Sequence, residues 1–158
     1  MTQQQIITDE MKSFLGLETE PKSYVVEKHS VERFAEAIQD ENQLYINENY
    51  AIEHKGGLIT PPTYVRLFRA NRLKRKFPEP FSNLVDGGSS YNFFKDIYVG
   101  DEISVVSKLK DLFVKSGSMG DMLFKVTLTS YTNQKNELVA TQEIVTITYG
   151  KGEKTFLG

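Results

Sequence analysis

The strongest constraint on the fold is a change in the hydrophobic pattern near residue 100. Beyond that point apolar and polar residues alternate as they do in β-strands, whereas earlier segments show the spacing of helices. The alternation predicts three long strands, at 102–115, from Met122 onwards, and at 138–149. Short polar turns separate these strands, so we expect them to pair as an antiparallel meander.

Two further segments, 23–28 and 90–98, are rich in β-branched and aromatic residues and are also predicted to be strands. In the strand at 102–115, every second residue from Ile103 to Leu109 is expected to lie on one face. In the next strand, polar residues alternate with an apolar set that we assign to its half-buried face: Met122, Phe124, Val126 and Leu128.

The first half of the chain carries helical patterns. Residues 6–16 predict a short amphipathic helix. Ser30 is a suitable N-cap for a second helix, which is expected to end near Gln39. Residues 43–58 show no regular period, so we predict a loop or short turns there rather than a strand.

A third helix is predicted to start at Thr60, because threonine can cap a helix and Pro61 and Pro62 are tolerated in its first turn. Its apolar surface, from Tyr64 to Leu73, is broad enough to be wrapped by other structure. The predicted class is therefore α+β, with one curved antiparallel sheet wrapped around one central helix. A sheet of this kind leaves an edge exposed, so we expect pairing with a second copy or a relative.

Composition narrows the function classes. The 158 residues fit a single domain, 1–158, with a helical lead-in at 1–20 and a loose tail at 150–158. The net charge of −2 gives no general attraction to nucleic acid or membranes, and the absence of cysteine excludes thiolate catalysis. The two histidines, His29 and His54, cannot form a His-rich metal site alone. The N-terminus lacks the pattern of a signal peptide, so a cytoplasmic protein is expected.

The residues that could carry chemistry cluster between the second and third helices. Asp40 either ends a helix by bonding to nearby backbone or acts as a catalytic carboxylate. Asn42 is a turn residue or a substrate contact. Tyr45 is a core aromatic or a proton-transfer group. His54 is a solvent-exposed loop residue or a fallback proton carrier.

A second set of residues suits ligand binding. Gly56 and Gly57 either permit a tight turn or let the backbone approach a substrate closely. A basic cluster follows, which is either a solvated helix face or a phosphate clamp for coenzyme A or a carrier-protein arm. Its members are Arg66, Arg69, Arg72, Lys74, Arg75 and Lys76.

Three motifs in order, VERFAEAIQDEN, GGLITPPT and YVGDEI, carry a resemblance to a known family. The chain resembles the MaoC-like dehydratases and hydratases of the hot-dog fold, and above all their N-terminal, fatty-acid-synthase-type dehydratase half. The resemblance extends over residues 22–149. It implies a hot-dog fold, a dimer, and a substrate carried as a coenzyme A or acyl-carrier-protein thioester, with no further cofactor.

The resemblance also identifies what this sequence lacks. Active members carry Asp-x-Asn-Pro-(apolar)-His, whose Asp and His activate a water for addition to an enoyl thioester. Here Asp40 and Asn42 match, but Gln43 replaces the proline and Tyr45 stands at the histidine position. A phenol, with a pKa of about 10, is a poor base at neutral pH. Pro62 falls beside the family's oxyanion-hole glycine, and proline has no N–H to donate.

Three functions follow as alternatives. The resemblance implies a hot-dog subunit of a (3R)-hydroxyacyl-thioester dehydratase or enoyl-CoA hydratase that shapes thioester binding for a catalytic partner. The second is a self-sufficient homodimeric hydratase that uses Asp40 with His54 or Tyr45. The third is an acyl-thioester-binding module without chemistry.

Overall fold

The computed structural model describes residues 6–118 and 120–150. The elements in chain order are α1 Asp9–Lys12, β1 Lys22–Val25, α2 Lys28–Ala37, α3 Gln43–Ile46, α4 Glu48–Lys55, a 3-10 helix Pro62–Leu67, β2 Asn83–Phe93, β3 Glu102–Gly117, β4 Gly120–Thr132 and β5 Leu138–Tyr149. The predicted tail at 150–158 lies, apart from residue 150, outside the described residues. Within them, no helix combines the length and the apolar character needed to cross a membrane.

The five strands form one curved antiparallel sheet in the order β1-β3-β4-β5-β2. The predicted α+β class and the antiparallel meander of β3, β4 and β5 are confirmed. The predicted bounds of β2 were wrong, because this strand starts at Asn83 and ends at Phe93 rather than covering 90–98. A bulge at Gly87 and Gly88 lets the strand extend towards the N-terminus as far as Asn83. Ile97 lies beyond the end of β2, and its carbonyl accepts a hydrogen bond from the Thr60 N–H at 2.8 Å.

The concave face of the sheet is the buried one. Ile103 and Val105 of β3 are fully buried, as the alternation predicted. The predicted half-buried strand is confirmed as β4, but its fully buried residues, which include Leu123 and Tyr131, lie on the face opposite the half-buried apolar set headed by Met122. Register explains the reversal: Val105 pairs with Tyr131, so both side chains lie on the same face as the core.

Helix α2 supplies the main helical contribution to this core through Val31 and Ala35. It begins at Lys28, so Ser30 is not the N-cap that the sequence suggested. The Ser30 hydroxyl instead accepts a hydrogen bond from the Tyr64 hydroxyl at 2.9 Å. The helix ends within two residues of the predicted position.

Residues 43–58 contain no strand, as predicted, but the expectation of irregular structure was wrong. Two short helices occupy the segment, and each starts at an asparagine whose side chain accepts a backbone N–H. Asn42 caps α3 and Asn47 caps α4, with accepting distances of 3.0 and 3.1 Å. These two caps are the local signal that the periodicity argument overlooked.

The prediction of a long third helix was also wrong. Only the 3-10 helix Pro62–Leu67 forms, and Phe68 is already extended. The Tyr24 hydroxyl donates to the Arg69 carbonyl at 2.8 Å and accepts from the Arg69 N–H at 3.2 Å. The Asn71 side-chain amide donates to the backbone carbonyls of Glu20 and Pro21. These contacts hold the backbone of 69–71 against the β1 region, in place of a helical ladder.

The helix predicted at 6–16 is shorter in the structure, where α1 has four residues, and residues 1–5 of the predicted lead-in lie outside the described residues. Thr8 caps this helix, and Met11 and Phe14 are buried. A second hydrophobic cluster, built from Met11, Leu112 and Leu123, therefore closes the end of the sheet opposite the α2 core.

Candidate functional site

Asp40 lies immediately after α2, at a sharp reversal of the chain. Its backbone N–H donates to the Ala35 carbonyl at 2.9 Å, and Gln39 before it has a positive φ of 56°. One carboxylate oxygen of Asp40 accepts the Asn42 N–H at 3.1 Å. The carboxylate is thus held by the short turn that leads into α3.

Tyr45 lies close to this carboxylate, with only 7% of its surface exposed. Burial raises the pKa of Tyr45, and the negative charges of Asp40 and, more weakly, Asp96 raise it further, while a hydrogen bond with the Asn42 side chain acts in the opposite direction. The structure therefore brings together Asp40, Asn42 and Tyr45 as the sequence predicted. At neutral pH the Tyr45 phenol keeps its proton, so its hydroxyl can donate or accept a hydrogen bond but is not a base.

His54 lies in the last turn of α4 and is exposed. Its Nδ1 is 2.8 Å from the Tyr50 carbonyl oxygen one turn earlier, and its ring stacks on the Tyr50 ring with centroids 3.9 Å apart. Both contacts are within its own helix. Neither connects the imidazole with the carboxylate of Asp40.

The two glycines after α4 differ in their constraints. Gly56 ends the helix with φ of 80°, a conformation that side chains disfavour. Gly57 has an ordinary φ, and a Cβ there would meet only Tyr98 Cδ1 at 3.6 Å. Pro62 is exposed and opens the 3-10 helix, so this position offers no N–H to an oxyanion.

The basic cluster does not form one helix face, because the helix ends at Leu67. Arg66 is exposed, and its positive charge opposes the effect of burial, which raises the pKa of Tyr91. Arg69 is exposed, and its backbone is held by Tyr24. The remaining four cations lie on the connector formed by residues 71–77, which crosses the sheet.

Between this connector and the centre of the sheet lies a cavity of about 590 Å³. Its floor includes Ser107 of β3, Lys125 and Thr127 of β4 and Thr146 of β5. The sequence analysis missed it because a helix was expected over this part of the sheet. Two polar residues of the β4 alternation, Lys125 and Thr127, face this cavity.

Comparison with known proteins now decides the family. The sequence profile of the FAS1-like dehydratase domain region matches residues 13–142. The chain belongs to this family. Relatives include a UPF0336 protein of Thermobifida fusca, 27% identical over 71% of this chain and 77% of its own length, and one of Saccharopolyspora erythraea, 25% identical over 90% and 93%.

Solved structures show the fold of this FAS1-like dehydratase domain. The ChsH1–ChsH2 complex from Mycobacterium tuberculosis matches with a TM-score of 0.77, at 15% identity, over 93% of each chain. The HadBC (3R)-hydroxyacyl-ACP dehydratase complex of the same organism matches with a TM-score of 0.65, at 18% identity, over 85% of this chain and 96% of its own. The (R)-hydratase from A. caviae matches with a TM-score of 0.62, at 19% identity, over 84% and 94%. The hot-dog fold and the MaoC-like resemblance are thereby confirmed.

Proposed function

We propose that this chain is the thioester-binding, non-catalytic hot-dog subunit of a (3R)-hydroxyacyl-thioester dehydratase or enoyl-CoA hydratase. The observation that carries the proposal is Tyr45, a buried phenol with a raised pKa, which stands where the family resemblance implies an imidazole. Addition of water to a double bond needs a base that is partly deprotonated near neutral pH. A phenol that titrates above its ordinary range does not meet that requirement.

The carbonyl-activating side of the reaction supports the same proposal. Stabilisation of the enolate oxygen requires a hydrogen-bond donor preset at its position. Pro62 has no N–H, and the neighbouring Thr60 N–H is already bound to the Ile97 carbonyl at 2.8 Å. A partner subunit is therefore expected to supply both the imidazole and the oxyanion donor.

The binding part of the proposal rests on the open concave face. Because a connector replaces the long helix over the centre of the sheet, the chain leaves a cavity of about 590 Å³. This size is within the range of pockets that take small organic ligands. The other proposed substrate contacts remain Asn42, Gly56, Gly57, Pro62, Arg66 and Arg69.

The edge of the sheet supports the need for a partner. Strand β2 is exposed along nearly its whole length, and within residues 6–118 and 120–150 it pairs with β5 only. Unpaired strand edges invite pairing with another chain. Two of the similar structures are complexes by name, which is consistent with a heterodimer, although a homodimer satisfies the edge equally well.

The decisive experiment measures hydration of crotonyl-CoA by the purified chain, and again after addition of the hot-dog protein that co-purifies with it. We expect no turnover alone and turnover in the mixture when the partner carries the complete Asp-x-Asn-Pro-x-His motif. Turnover by the chain alone, abolished in Asp40→Asn and kept in Glu41→Gln, would instead establish a self-sufficient enzyme. Thioester binding without turnover in any mixture would leave a binding module.

A further inference from the structure

The cavity beneath the 71–77 connector differs from a simple alkyl tunnel in its charge. Six basic residues line it, and no acidic residue does. These residues are Arg72, Lys74, Arg75, Lys76, Lys108 and Lys125. An excess of one charge sign in a concave site attracts ligands of the opposite sign.

Half of these cations are already engaged. Lys108 pairs with Glu18 at 3.0 Å, and Lys125 pairs with Glu79, which also accepts the Thr148 hydroxyl at 2.6 Å. Arg75 lies over the Phe14 ring at 3.9 Å and donates to the Ser13 hydroxyl.

The other three, Arg72, Lys74 and Lys76, make no ion pair with any residue in 6–118 or 120–150. An adjoining cavity of about 460 Å³ shares Arg72 and Lys74 with the larger one. Glu18 and Glu20 also line this smaller cavity, so the excess of basic over acidic lining residues is greater in the 590 Å³ cavity. The mouth of that larger cavity is therefore cationic.

The floor of the cavity adds hydrogen-bonding groups to this charge. Ser107, Thr127 and Thr146 present hydroxyl groups from three adjacent strands, beside the apolar walls formed by Phe77 and Leu109. The Ser107 hydroxyl is already hydrogen-bonded to the Thr129 hydroxyl at 2.6 Å. A saturated hydrocarbon would displace water from the Thr127 and Thr146 hydroxyls and from the ammonium groups of Lys74 and Lys76 without replacing its hydrogen bonds. A chain that ends in charged oxygen atoms would satisfy both kinds of wall.

The cavity and the Asp40 region lie at different distances along the same strand. Tyr45 belongs to the core cluster that contains Tyr131 of β4, whereas Thr127, four residues away, lines the cavity. At about 3.4 Å per residue, Thr127 and Tyr131 are about 14 Å apart along β4. The cavity and the core around Tyr45 thus adjoin different stretches of this strand.

We propose that this cavity binds an anionic oxygen group carried on an apolar chain, with Lys74 and Lys76 as its electrostatic contacts. The inference rests on the proposed function for the identity of the ligand as an acyl thioester. Two parts of such a ligand carry this chemistry: a terminal carboxylate on the acyl group, or the phosphates of coenzyme A. The two sources are separated by the choice of probes.

The test measures dissociation constants of the full chain for octanoyl-CoA, for suberyl-CoA, which has the same chain length but ends in a carboxylate, and for free coenzyme A. The double variant Lys74→Gln/Lys76→Gln is compared with Arg33→Gln/Lys135→Gln, which removes equal charge from exposed positions elsewhere. Thermal unfolding of both variants checks that the fold is kept. All measurements are made at low salt, where exposed charges act most strongly.

If the acyl carboxylate is the occupant, suberyl-CoA binds about fivefold tighter than octanoyl-CoA, and only the Lys74/Lys76 variant loses the difference. If the phosphates are the occupant, the Lys74/Lys76 variant weakens all three probes by a similar factor and the control does not. Unchanged affinities in that variant would overturn the inference while leaving the proposed function in place. Failure of the chain to bind any of the three probes would overturn both.

Discussion

Tyr45 combines a buried ring with a hydroxyl group near a carboxylate, and this combination defines what the residue can do. Burial and the charge of Asp40 both favour the neutral phenol. The hydroxyl can orient Asn42 or a bound ligand, but it cannot take a proton near pH 7. Under the proposed function, Tyr45 fills this position in the core without serving as a base.

Replacement of Tyr45 by phenylalanine tests this interpretation directly. In the complex with a catalytic partner, we expect Tyr45→Phe to keep turnover within about twofold, because no proton passes through the hydroxyl. The unfolding free energy should change by no more than about 1 kcal/mol, the net value of one hydrogen bond. Loss of turnover by a factor of about a hundred, with unchanged stability, would assign the phenol a role in proton transfer.

Tyr131 predicts a pH dependence of stability. Burial raises its pKa far above the ordinary tyrosine value, and its hydroxyl donates to the Gln142 side chain at 2.9 Å. Above about pH 10 the unfolded chain loses this proton while the folded chain keeps it, so the folded state binds more protons and stability falls as pH rises. The slope contributed by one such group approaches about 1.4 kcal/mol per pH unit.

The measurement is urea unfolding from about pH 8 to about pH 11, which brackets the ordinary tyrosine pKa of about 10. Tyr131→Phe should be less stable at pH 8, because Gln142 loses a partner, but its stability should decline less steeply above pH 10. Tyr98→Phe, at a half-buried position, serves as the control for the loss of a hydroxyl. Equal slopes in the wild type and Tyr131→Phe would contradict the assignment.

At the scale of elements, the bulge in β2 depends on one glycine. A Cβ at Gly87 would lie 2.8 Å from Val145 Cγ1 and 3.0 Å from the Val145 carbonyl oxygen. Backbone cannot move away without breaking the β2–β5 ladder, so we expect Gly87→Ala to lower the unfolding free energy by about 1–3 kcal/mol. Chemical denaturation checks this value, and stability equal to wild type would show that the bulge can reshape.

Gly57 provides the matched comparison, because a Cβ there makes only an ordinary contact with Tyr98. We expect Gly57→Ala to leave stability within about 0.5 kcal/mol of wild type. If the backbone of Gly57 approaches the thioester, as proposed, the same change should weaken octanoyl-CoA binding. Unchanged binding and unchanged stability together would reduce Gly57 to a turn residue.

The elements also show what sequence alone can reveal. Strand β5 was predicted with its observed bounds, because its Val, Ile and Thr residues are read locally. The prediction of the third helix failed because its residues have a helical pattern, whereas distant residues bind its backbone and side chains. The Tyr24 hydroxyl donates to the Arg69 carbonyl, 45 residues away, and the Asn71 side chain donates to the Glu20 carbonyl, 51 residues away. The buried face of β4 also depends on a distant contact, because the pairing of Tyr131 with Val105 of β3 sets which side of the strand is buried.

The same distinction between local and distant contacts applies to the candidate site. The cluster of Asp40, Asn42 and Tyr45 could be predicted because six residues and one turn hold it together. The cavity could not, because its walls come from the lead-in, the connector and four strands. Its existence depends on a helix that does not form, and a local pattern cannot report that.

At the scale of the whole molecule, the concave face is covered at its two ends and open between them. The core cluster around Val31 and Ala35 closes one end, and the cluster around Met11 and Leu123 closes the other. Among the described residues, the outer edge of β2 has no partner strand. This edge and the cavity meet at Leu84, which lies on β2 and also lines the cavity.

Leu84 is the test position for this edge, because it lies on β2 with 65% of its surface exposed. Since Leu84 also lines the cavity, the variant is judged by its mass and not by its ligand affinity. A lysine at a strand edge opposes pairing with another strand, since its charge would have to be buried in the joined sheet. We expect Leu84→Lys to shift the mass measured by light scattering from dimer to monomer at micromolar concentration. The control is Ile52→Lys on α4, a position that is 54% exposed, and this variant should remain a dimer as the wild type does. If Leu84→Lys keeps its dimer while Ile52→Lys loses it, the assembly surface lies on α4 and the β2 edge is covered in some other way.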